Sequence, residues 1–171
     1  MKINMIFILL FIFFSLIPAA FAAKAEAVVK GTAEGSPISG TISFEETGGG
    51  LKMNAEVSGL PAGKHGFHIH ENGSCADAGK AAGDHFNPDK AQHGLLSKDG
   101  FTGAHAGDLG NIEIAADGTG KSEAALQGLS LSEGPHDVTG KSVILHEKED
   151  DFGQPTGNAG GRIACGIIEK K

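Results

Sequence analysis

The chain has 171 residues, a formal net charge of −7, and neither tryptophan nor tyrosine. This length suits one compact domain with a real core. An acidic chain of this composition is a poor nucleic-acid binder and a poor candidate for an aromatic platform that stacks sugars or bases. We therefore predict that nucleic acids are not partners.

The N-terminal stretch MKINMIFILLFIFFSLIPAAFA, residues 1–22, combines one lysine, a long apolar run and an A-x-A ending. This pattern is typical of a secretory signal peptide. Cleavage near Ala22 would leave residues 23–171 as the mature domain, with no membrane attachment. The apolar run is long for a signal peptide, so a membrane anchor is the alternative.

Short segments downstream alternate apolar and polar residues between glycine-rich turns. In LKMNAEV, residues 51–57, the apolar side chains share one face, and ISGTISF at 38–44 has the same period. A period of two residues indicates half-buried strands. Eight strands are predicted, at 28–34, 38–44, 51–57, 64–70, 110–116, 119–126, 141–146 and 161–168. No long segment has helical periodicity.

Hairpin turns are predicted at GGG, residues 48–50, and at ADGTG, residues 116–120. Eight short strands in one domain favour an all-β sandwich or flattened barrel. Two long connections, 71–108 and 147–160, are polar and rich in glycine. Because loops this long in a compact domain are often functional, we expect them to carry the chemistry.

Histidines concentrate near strand ends and in the first long connection. His68 and His70 share one face of the predicted strand 64–70, about 7 Å apart at Cα, close enough for one ion. Alone, the pair is weak evidence for a metal, and two surface histidines are the alternative. Five further candidate ligands strengthen the metal interpretation: His85, His93, His105, Asp108 and His146.

Imidazole suits copper and zinc, and a carboxylate beside imidazoles favours zinc. Seven such groups are too many for one tetrahedral ion, so two ions are the simpler account. Metal-bound histidines need their second nitrogen oriented by an acceptor, which Asp150 or Asp151 would supply. The alternative is that these two residues belong to a solvated acidic run.

Cys75 and Cys165 are the two cysteines. In an exported protein they favour one disulfide. Closing a loop of about 90 residues contributes roughly 4 to 5 kcal/mol in the chain-entropy model. Metal binding by both thiolates is the alternative, although the usual C-x-x-C spacing of zinc sites is missing.

The motifs GFHIHENGSC, GDHFNPDKAQHG, HAGDLGN, LHEKEDD and GNAGGRIACGII together resemble the copper/zinc superoxide dismutases, in order and over residues 26–169. The resemblance implies an eight-stranded Greek-key sandwich or flattened barrel with two long functional loops. It also implies an enzyme that dismutates superoxide, with copper and zinc as cofactors. With the predicted signal peptide, it implies an exported bacterial, periplasmic form.

The resemblance also implies a role for each motif residue. The expected copper ligands are His68, His70, His85 and His146; the expected zinc ligands are His85, which bridges both metals, His93, His105 and Asp108. Asp150 is expected to link His68 to His93, and Arg162 to dock the anion beside copper. Thr156 is expected to line the channel, and Cys75 and Cys165 are expected to form the intramolecular disulfide. His65 is expected to support the barrel, and His136 has no assigned role.

The substrate is an anion and the chain is acidic, so local attraction must overcome overall repulsion. We expect Lys148, with Lys80 and Lys90, to steer the substrate towards Arg162. A homodimer is possible, and the copper donor is not predicted.

Two other functions compete with the enzyme. A periplasmic copper/zinc carrier or scavenger would use the same histidines, but it needs no anion-docking arginine beside its metal. A zinc hydrolase needs an open coordination position, which a complete ligand set with a bridging histidine disfavours. Arg162 is therefore the residue that discriminates the dismutase from the carrier.

Overall fold

Eight antiparallel strands close into a barrel in the computed structural model, which describes residues 22–171. The strands are β1 Lys24–Gly31, β2 Ser39–Thr47, β3 Gly50–Ser58, β4 Gly63–His70, β5 Asp108–Ile114, β6 Gly120–Gln127, β7 Ser142–His146 and β8 Arg162–Lys170. Around the barrel their order is β1-β2-β3-β6-β5-β4-β7-β8. Because β3 lies beside β6 and β4 beside β7, the chain crosses over in the Greek-key manner. The predicted all-β fold is confirmed.

The core follows the predicted alternation along the strands. In β3 the side chains of Leu51, Met53, Ala55 and Val57 are buried, and the residues between them face outwards. Fully burying a large aliphatic or aromatic side chain contributes about 1.5 to 3 kcal/mol, so the repeated pattern fixes which face of each strand turns inwards. Both predicted hairpin turns join neighbouring strands, β2 to β3 and β5 to β6.

The first strand begins and ends earlier than predicted, so the prediction of 28–34 is wrong in its bounds. β1 covers Lys24–Gly31, and its buried positions are Ala25, Ala27 and Val29. Alanines bury little surface and give a weak alternating signal, whereas the exposed Val28 gives a strong one. The chain then turns through Gly35, whose φ of 71° suits glycine.

The ladder between β5 and β6 is the shortest in the barrel. These strands pair through one residue pair, Ile114 with Gly120, whereas β3 pairs with β6 over eight. A short helix, α1 Leu96–Gly103, packs against both β5 and β6. α1 lies in the β4–β5 connection, which also contains a single 3₁₀ turn at Lys80–Ala82.

The two predicted long connections are confirmed between β4 and β5 and between β7 and β8. A third, 128–141 between β6 and β7, was not singled out from the sequence. It buries Leu129, Leu131 and Val138 in the core. The predicted signal peptide falls almost entirely outside the described residues. Within residues 22–171, no helix is both long and apolar enough to span a bilayer.

His136, which had no predicted role, joins the third connection to two places in the β4–β5 connection. Its ring stacks on Phe101 of α1, with centroids 3.8 Å apart and planes within 8°. Its Nε2 lies 2.7 Å from the carboxylate of Asp89 in the β4–β5 connection. His136 therefore fastens the third connection to the loop that holds several candidate metal ligands.

We expect His136→Ala to lower the free energy of unfolding by about 1 to 2 kcal/mol, since it removes one aromatic stack and one hydrogen bond. Urea unfolding at neutral pH measures this loss. Glu133→Gln, at an exposed position of the same connection, is the control and should stay within about 0.5 kcal/mol of the parent. Equal stability of both variants would contradict the fastening role.

Candidate metal centre

The six histidines and one aspartate predicted as ligands come together in one buried cluster. They are supplied by β4, by the β4–β5 connection, by the first residue of β5 and by the last residue of β7. Their exposed fractions run from 0% to 7%. Burial of so many polar side chains is costly unless each has a partner, so the cluster must be organised around bonds that the fold supplies.

Two groups of four potential ligands share His85. The first group is His68, His70, His85 and His146, and the second is His85, His93, His105 and Asp108. Within each group one donor atom per residue lies within 4.8 Å of every other. Two overlapping sets with one common imidazole suit two neighbouring metal ions, as the sequence predicts.

Asp108 organises the second group. Its Oδ1 lies 2.8 Å from His85 Nδ1 and 3.2 Å from His105 Nδ1, and its Oδ2 lies 3.0 Å from His93 Nδ1. The backbone N–H groups of Gly94 and His105 donate to Oδ2. Three Nδ1 atoms and one carboxylate therefore converge, a donor set that suits zinc.

Local pairing of the backbone places His85 between the two groups. His85 forms an antiparallel bridge with His70 at the end of β4, and the next residue, Phe86, donates its N–H to Ile69 O at 2.9 Å. β4 lies between β5 and β7, and its pairing with β5 shifts register between Gly66 and His68. The shift brings His68 opposite Asp108, the first residue of β5, so that the end of β4 adjoins the carboxylate of the cluster.

Each of four histidines uses one ring nitrogen to hold its ring in place. His70 Nδ1 lies 3.0 Å from Gly83 O and His146 Nδ1 lies 3.2 Å from Gly160 O. The remaining two, His68 and His93, use Nε2 to bind the Asp150 carboxylate at 2.8 and 2.9 Å.

The opposite nitrogens of these rings are buried and make no hydrogen bond within residues 22–171: His68 Nδ1, His70 Nε2, His93 Nδ1 and His146 Nε2. His93 Nδ1 lies 3.0 Å from Asp108 Oδ2, but without the alignment of a hydrogen bond. Unpartnered buried nitrogens are rare, because each costs desolvation free energy. All four belong to the two groups of candidate ligands, and they carry the lone pairs that a metal needs. The residues therefore fit copper and zinc ions.

The Asp150 carboxylate links the two groups, as predicted. Asn111 fixes its backbone by two hydrogen bonds, and the Phe152 N–H donates to Oδ1 at 2.8 Å. Asp151, the alternative orienting residue, is exposed and binds Gly153 N and the Asn158 side chain instead. The interpretation of Asp151 as an orienting carboxylate is therefore wrong.

Gly157 permits the approach of the β7–β8 connection to this carboxylate. Its φ is 76°, and a Cβ at this position would overlap Asp150 Oδ1 and come within 2.6 Å of His93 Nε2. Any side chain at position 157 would push the connection off the Asp150–His93 contact.

Burial lowers the pKa of three histidines in the first group. Desolvation lowers the pKa of His68 to about 4, of His70 to about 2 and of His146 to about 3. Neutral imidazole is the form that binds metal, so these rings are ready ligands at neutral pH. Burial alone would lower the pKa of His93, but Asp108 and Asp150 together raise it to about 9. The pKa of Asp108 would rise on burial, yet its histidine contacts hold it well below the usual range.

A cavity of about 210 Å³ opens over the first group and is lined by His70, His85, His146, Thr156 and Arg162, with Asp84 and residues 158–160. The Arg162 guanidinium donates to Gly79 O at 2.7 Å and to Gly83 O at 2.6 Å. A larger groove of about 440 Å³ lies along β1 and β8 and contains none of the cluster histidines. Size alone therefore does not locate the site.

The other predicted residues lie outside the two ligand groups. The disulfide Cys75–Cys165 is present and excludes thiolate metal binding. His65 is 3% exposed, with ring nitrogens 2.8 Å from His146 O and 2.9 Å from Pro61 O, so it supports the barrel. The lysines proposed for steering, Lys148, Lys80 and Lys90, do not line the cavity. Lys148 is exposed and lies beside Gly160 at the cavity wall.

Three residues in the site were not predicted individually. Asn111 fixes the Asp150 backbone, and Gln154 exchanges two hydrogen bonds with the backbone of His93. Asp84 lines the cavity. Asn111 and Asp84 lie within motifs that resemble the family. Their positions in the site depend on segments distant in the sequence, so the spacing of residues within a motif does not predict them.

Asp150→Asn tests the link between the two groups. The asparagine side chain has one acceptor oxygen and no charge, so it is a poorer hydrogen-bond acceptor for the two imidazole N–H groups. We therefore expect metal affinity to fall about 10- to 100-fold. Competition with a calibrated chelator measures this change for zinc and copper separately. Asp151→Asn removes the same charge from the neighbouring position and should retain the parent affinity. Equal affinities in the two variants would show that the link does not orient the ligands.

The pH dependence of the metal-free protein tests the buried imidazoles. The pKa values of His68, His70 and His146 are lower in the folded chain than in the unfolded chain. As pH falls below about 6.5, these imidazoles bind protons in the unfolded chain but stay neutral in the native chain. The free energy of unfolding therefore falls. Each ring accounts for up to about 2 kcal/mol between pH 6.5 and 5.

His93 acts with the opposite sign. Its pKa is raised to about 9, so its contribution is complete below about pH 6.5 and is lost as pH rises through 9. Urea unfolding at a series of pH values measures both branches. A free energy of unfolding that stays constant between pH 6.5 and 5 would contradict the burial of neutral imidazoles.

Comparison with known proteins agrees with this geometry. Residues 38–168 match the family model described as copper/zinc superoxide dismutase (SODC). The chain is 47% identical over 136 residues to the extracellular superoxide dismutase [Cu-Zn] of Caenorhabditis elegans, and the match covers 75% of this chain and 60% of that protein. It is 43% identical to the protein of the same description from Haemonchus contortus, covering 75% and 72%.

A solved structure, the crystal structure of the clock protein EA4, superposes with a TM-score of 0.77 at 37% identity. That match covers 88% of this chain and 96% of the other. The chain spans less than two thirds of the length of the C. elegans relative. With the family model matched over most of the chain, it belongs to the copper/zinc superoxide dismutase family.

Proposed function

We propose that the chain dismutates superoxide to dioxygen and hydrogen peroxide, with copper in the first group of ligands and zinc in the second. One observation carries the proposal: two sets of buried ligand atoms share His85 beneath a cavity whose wall includes Arg162. Family membership supports the same reaction.

Copper would be held by His68 Nδ1, His70 Nε2, His146 Nε2 and the second nitrogen of His85, and zinc by His85 Nδ1, His93 Nδ1, His105 Nδ1 and Asp108. When bound, copper supplies a one-electron couple between its two oxidation states, which zinc lacks. The buried carboxylate of Asp150 keeps two of the rings in orientation for both sites.

Arg162 supplies the positive charge that orients a small anion in the cavity. Its guanidinium is anchored to the carbonyl oxygens of Gly79 and Gly83 in the β4–β5 connection, so it is presented in a fixed position. The cavity of about 210 Å³ holds a diatomic anion and a few waters but excludes large substrates. Preorganised donors of this kind cost little reorganisation when the substrate enters.

His85 is placed to handle a proton. Its Nδ1 is held on the Asp108 side, and its ring lines the cavity on the other. Because the lone pair of His85 Nε2 can hold either copper or a proton, we propose that Nε2 takes a proton in the half of the cycle in which it does not bind copper. In the other half it delivers this proton as one of the two that hydrogen peroxide requires. The contact with Asp108 keeps the ring in place while Nε2 exchanges its proton.

The competing functions explain less of the site. A metal carrier accounts for the ligands but not for a guanidinium anchored beside them. A zinc hydrolase accounts for one group but not for a shared imidazole between two groups. Lys148 stays the proposed source of longer-range steering, because it is exposed and lies next to Gly160 at the cavity wall.

We also propose that the protein is exported after cleavage near Ala22. The two nematode relatives are named extracellular, and their names support secretion of this chain. The bacterial periplasmic form and a possible homodimer remain predictions. Mass determination of the mature protein from its native source tests the cleavage, and its mass in solution tests the assembly.

Arg162→Gln should lower kcat/KM for superoxide by about tenfold, because the orienting charge is lost while the metal ligands remain. Arg162→Lys should recover part of the loss, since it restores the charge but not the two-sided anchoring. Pulse-generated superoxide decay, followed with and without a copper chelator, measures the rate.

Lys52→Gln is the matched control, since Lys52 is exposed on β3 and does not line the cavity. It removes the same charge and should leave kcat/KM nearly unchanged. A copper- and zinc-loaded parent protein without chelator-sensitive activity would overturn the proposed function.

A further inference from the structure

The protein charges on the cavity wall cancel. Among the described residues that line the cavity, Arg162 and Asp84 are the arginine and the carboxylate, one charge of each sign, and the others are histidines or uncharged residues. None of the three lysines proposed for steering joins them. An anion that enters therefore meets a guanidinium on one part of the wall and a carboxylate on another.

Asp84 is held at this wall by its backbone. Glu71 N–H donates to Asp84 O at 3.0 Å, and Asp84 N–H lies 3.4 Å from the Glu71 carboxylate. The residue before it, Gly83, accepts from the guanidinium of Arg162, and the residue after it is His85. Asp84 therefore cannot leave the cavity without disturbing its neighbours on both sides.

Within the described residues, the carboxylate of Asp84 forms no salt bridge. Within the described chain it accepts no hydrogen bond, and the Arg162 donors bind carbonyl oxygens of Gly79 and Gly83 instead. Asp84 is exposed. Its charge still reaches the guanidinium: burial lowers the pKa of Arg162, and Asp84 opposes that shift. The carboxylate therefore acts on the cavity through space and not through a bond.

We propose that Asp84 is a specificity-determining residue that weakens the binding of anions at Arg162, and dianions more than monoanions. The proposal rests on the proposed function, since it concerns the same cavity. Repulsion grows in proportion to the charge of the ligand. Asp84 therefore offsets part of the attraction that Arg162 exerts, and the part that it offsets is about twice as large for a dianion such as hydrogen phosphate as for a monoanion such as superoxide.

Azide and inorganic phosphate are suitable probes. Azide binding is followed by the change in visible absorption of the copper- and zinc-loaded protein, and phosphate binding by competition with azide at about pH 8. Asp84→Asn should tighten azide binding roughly three- to tenfold, the effect of one unit charge at the wall of a solvent-filled cleft. Phosphate binding should tighten by about the square of that factor.

Matched variants separate the charge from the fold. Asp84→Ser should behave like Asp84→Asn, and Asp84→Glu should stay close to the parent, since it keeps the charge. Glu34→Gln removes the same charge from an exposed turn that does not line the cavity, and it should leave both affinities unchanged. Metal content measured beforehand confirms that each variant is loaded.

The outcomes distinguish the two proposals. A parent protein whose copper spectrum does not respond to azide would overturn the proposed copper site itself. A parent that binds azide, with Asp84→Asn and Asp84→Ser binding azide and phosphate no tighter than Glu34→Gln, would overturn the role of Asp84 and leave the proposed function standing. Equal tightening for azide and phosphate would also overturn it, because repulsion must scale with ligand charge.

Discussion

The fold must hold a group of buried imidazoles so that each has one satisfied nitrogen and one free nitrogen. Carbonyl oxygens of Gly83 and Gly160 and the carboxylate of Asp150 satisfy the outer nitrogens. The inner nitrogens are then left without partners in a region that water does not reach. Everything else in the site, from the register of β4 to the glycine at position 157, serves this arrangement.

The arrangement also explains why the long connections belong to the site and not to the surface alone. The barrel supplies the ends of β4 and β7 and the first residue of β5, whereas the remaining ligands come from the β4–β5 connection. The carboxylate that joins the two groups comes from the β7–β8 connection. Three separate segments thus meet at Asp150, so the ligand geometry depends on the tertiary fold and not on local sequence.

Most strands and the candidate metal ligands could be predicted from the sequence, whereas the bounds of β1 and several side-chain contacts could not. Alternation along β3 predicts its buried face, because large apolar residues mark every second position. The bounds of β1 could not be predicted in this way, because its buried alanines are only weakly hydrophobic. The ligands could be named from motifs, but Asp151 could be separated from Asp150 only by seeing which carboxylate turns inwards. The contact of His136 with Phe101 and Asp89 joins residues far apart in the sequence and follows no period.

The single residue pair between β5 and β6 makes this seam the weakest closure of the ring. Transient local opening, of the kind that amide hydrogen exchange detects, is therefore expected to begin there. α1 covers both strands, and its two flanks lead directly to His93 and His105. With zinc held at His93 and His105 as proposed, its loss would free those flanks and uncover the seam, and we expect local opening of the barrel to increase when the metal is removed.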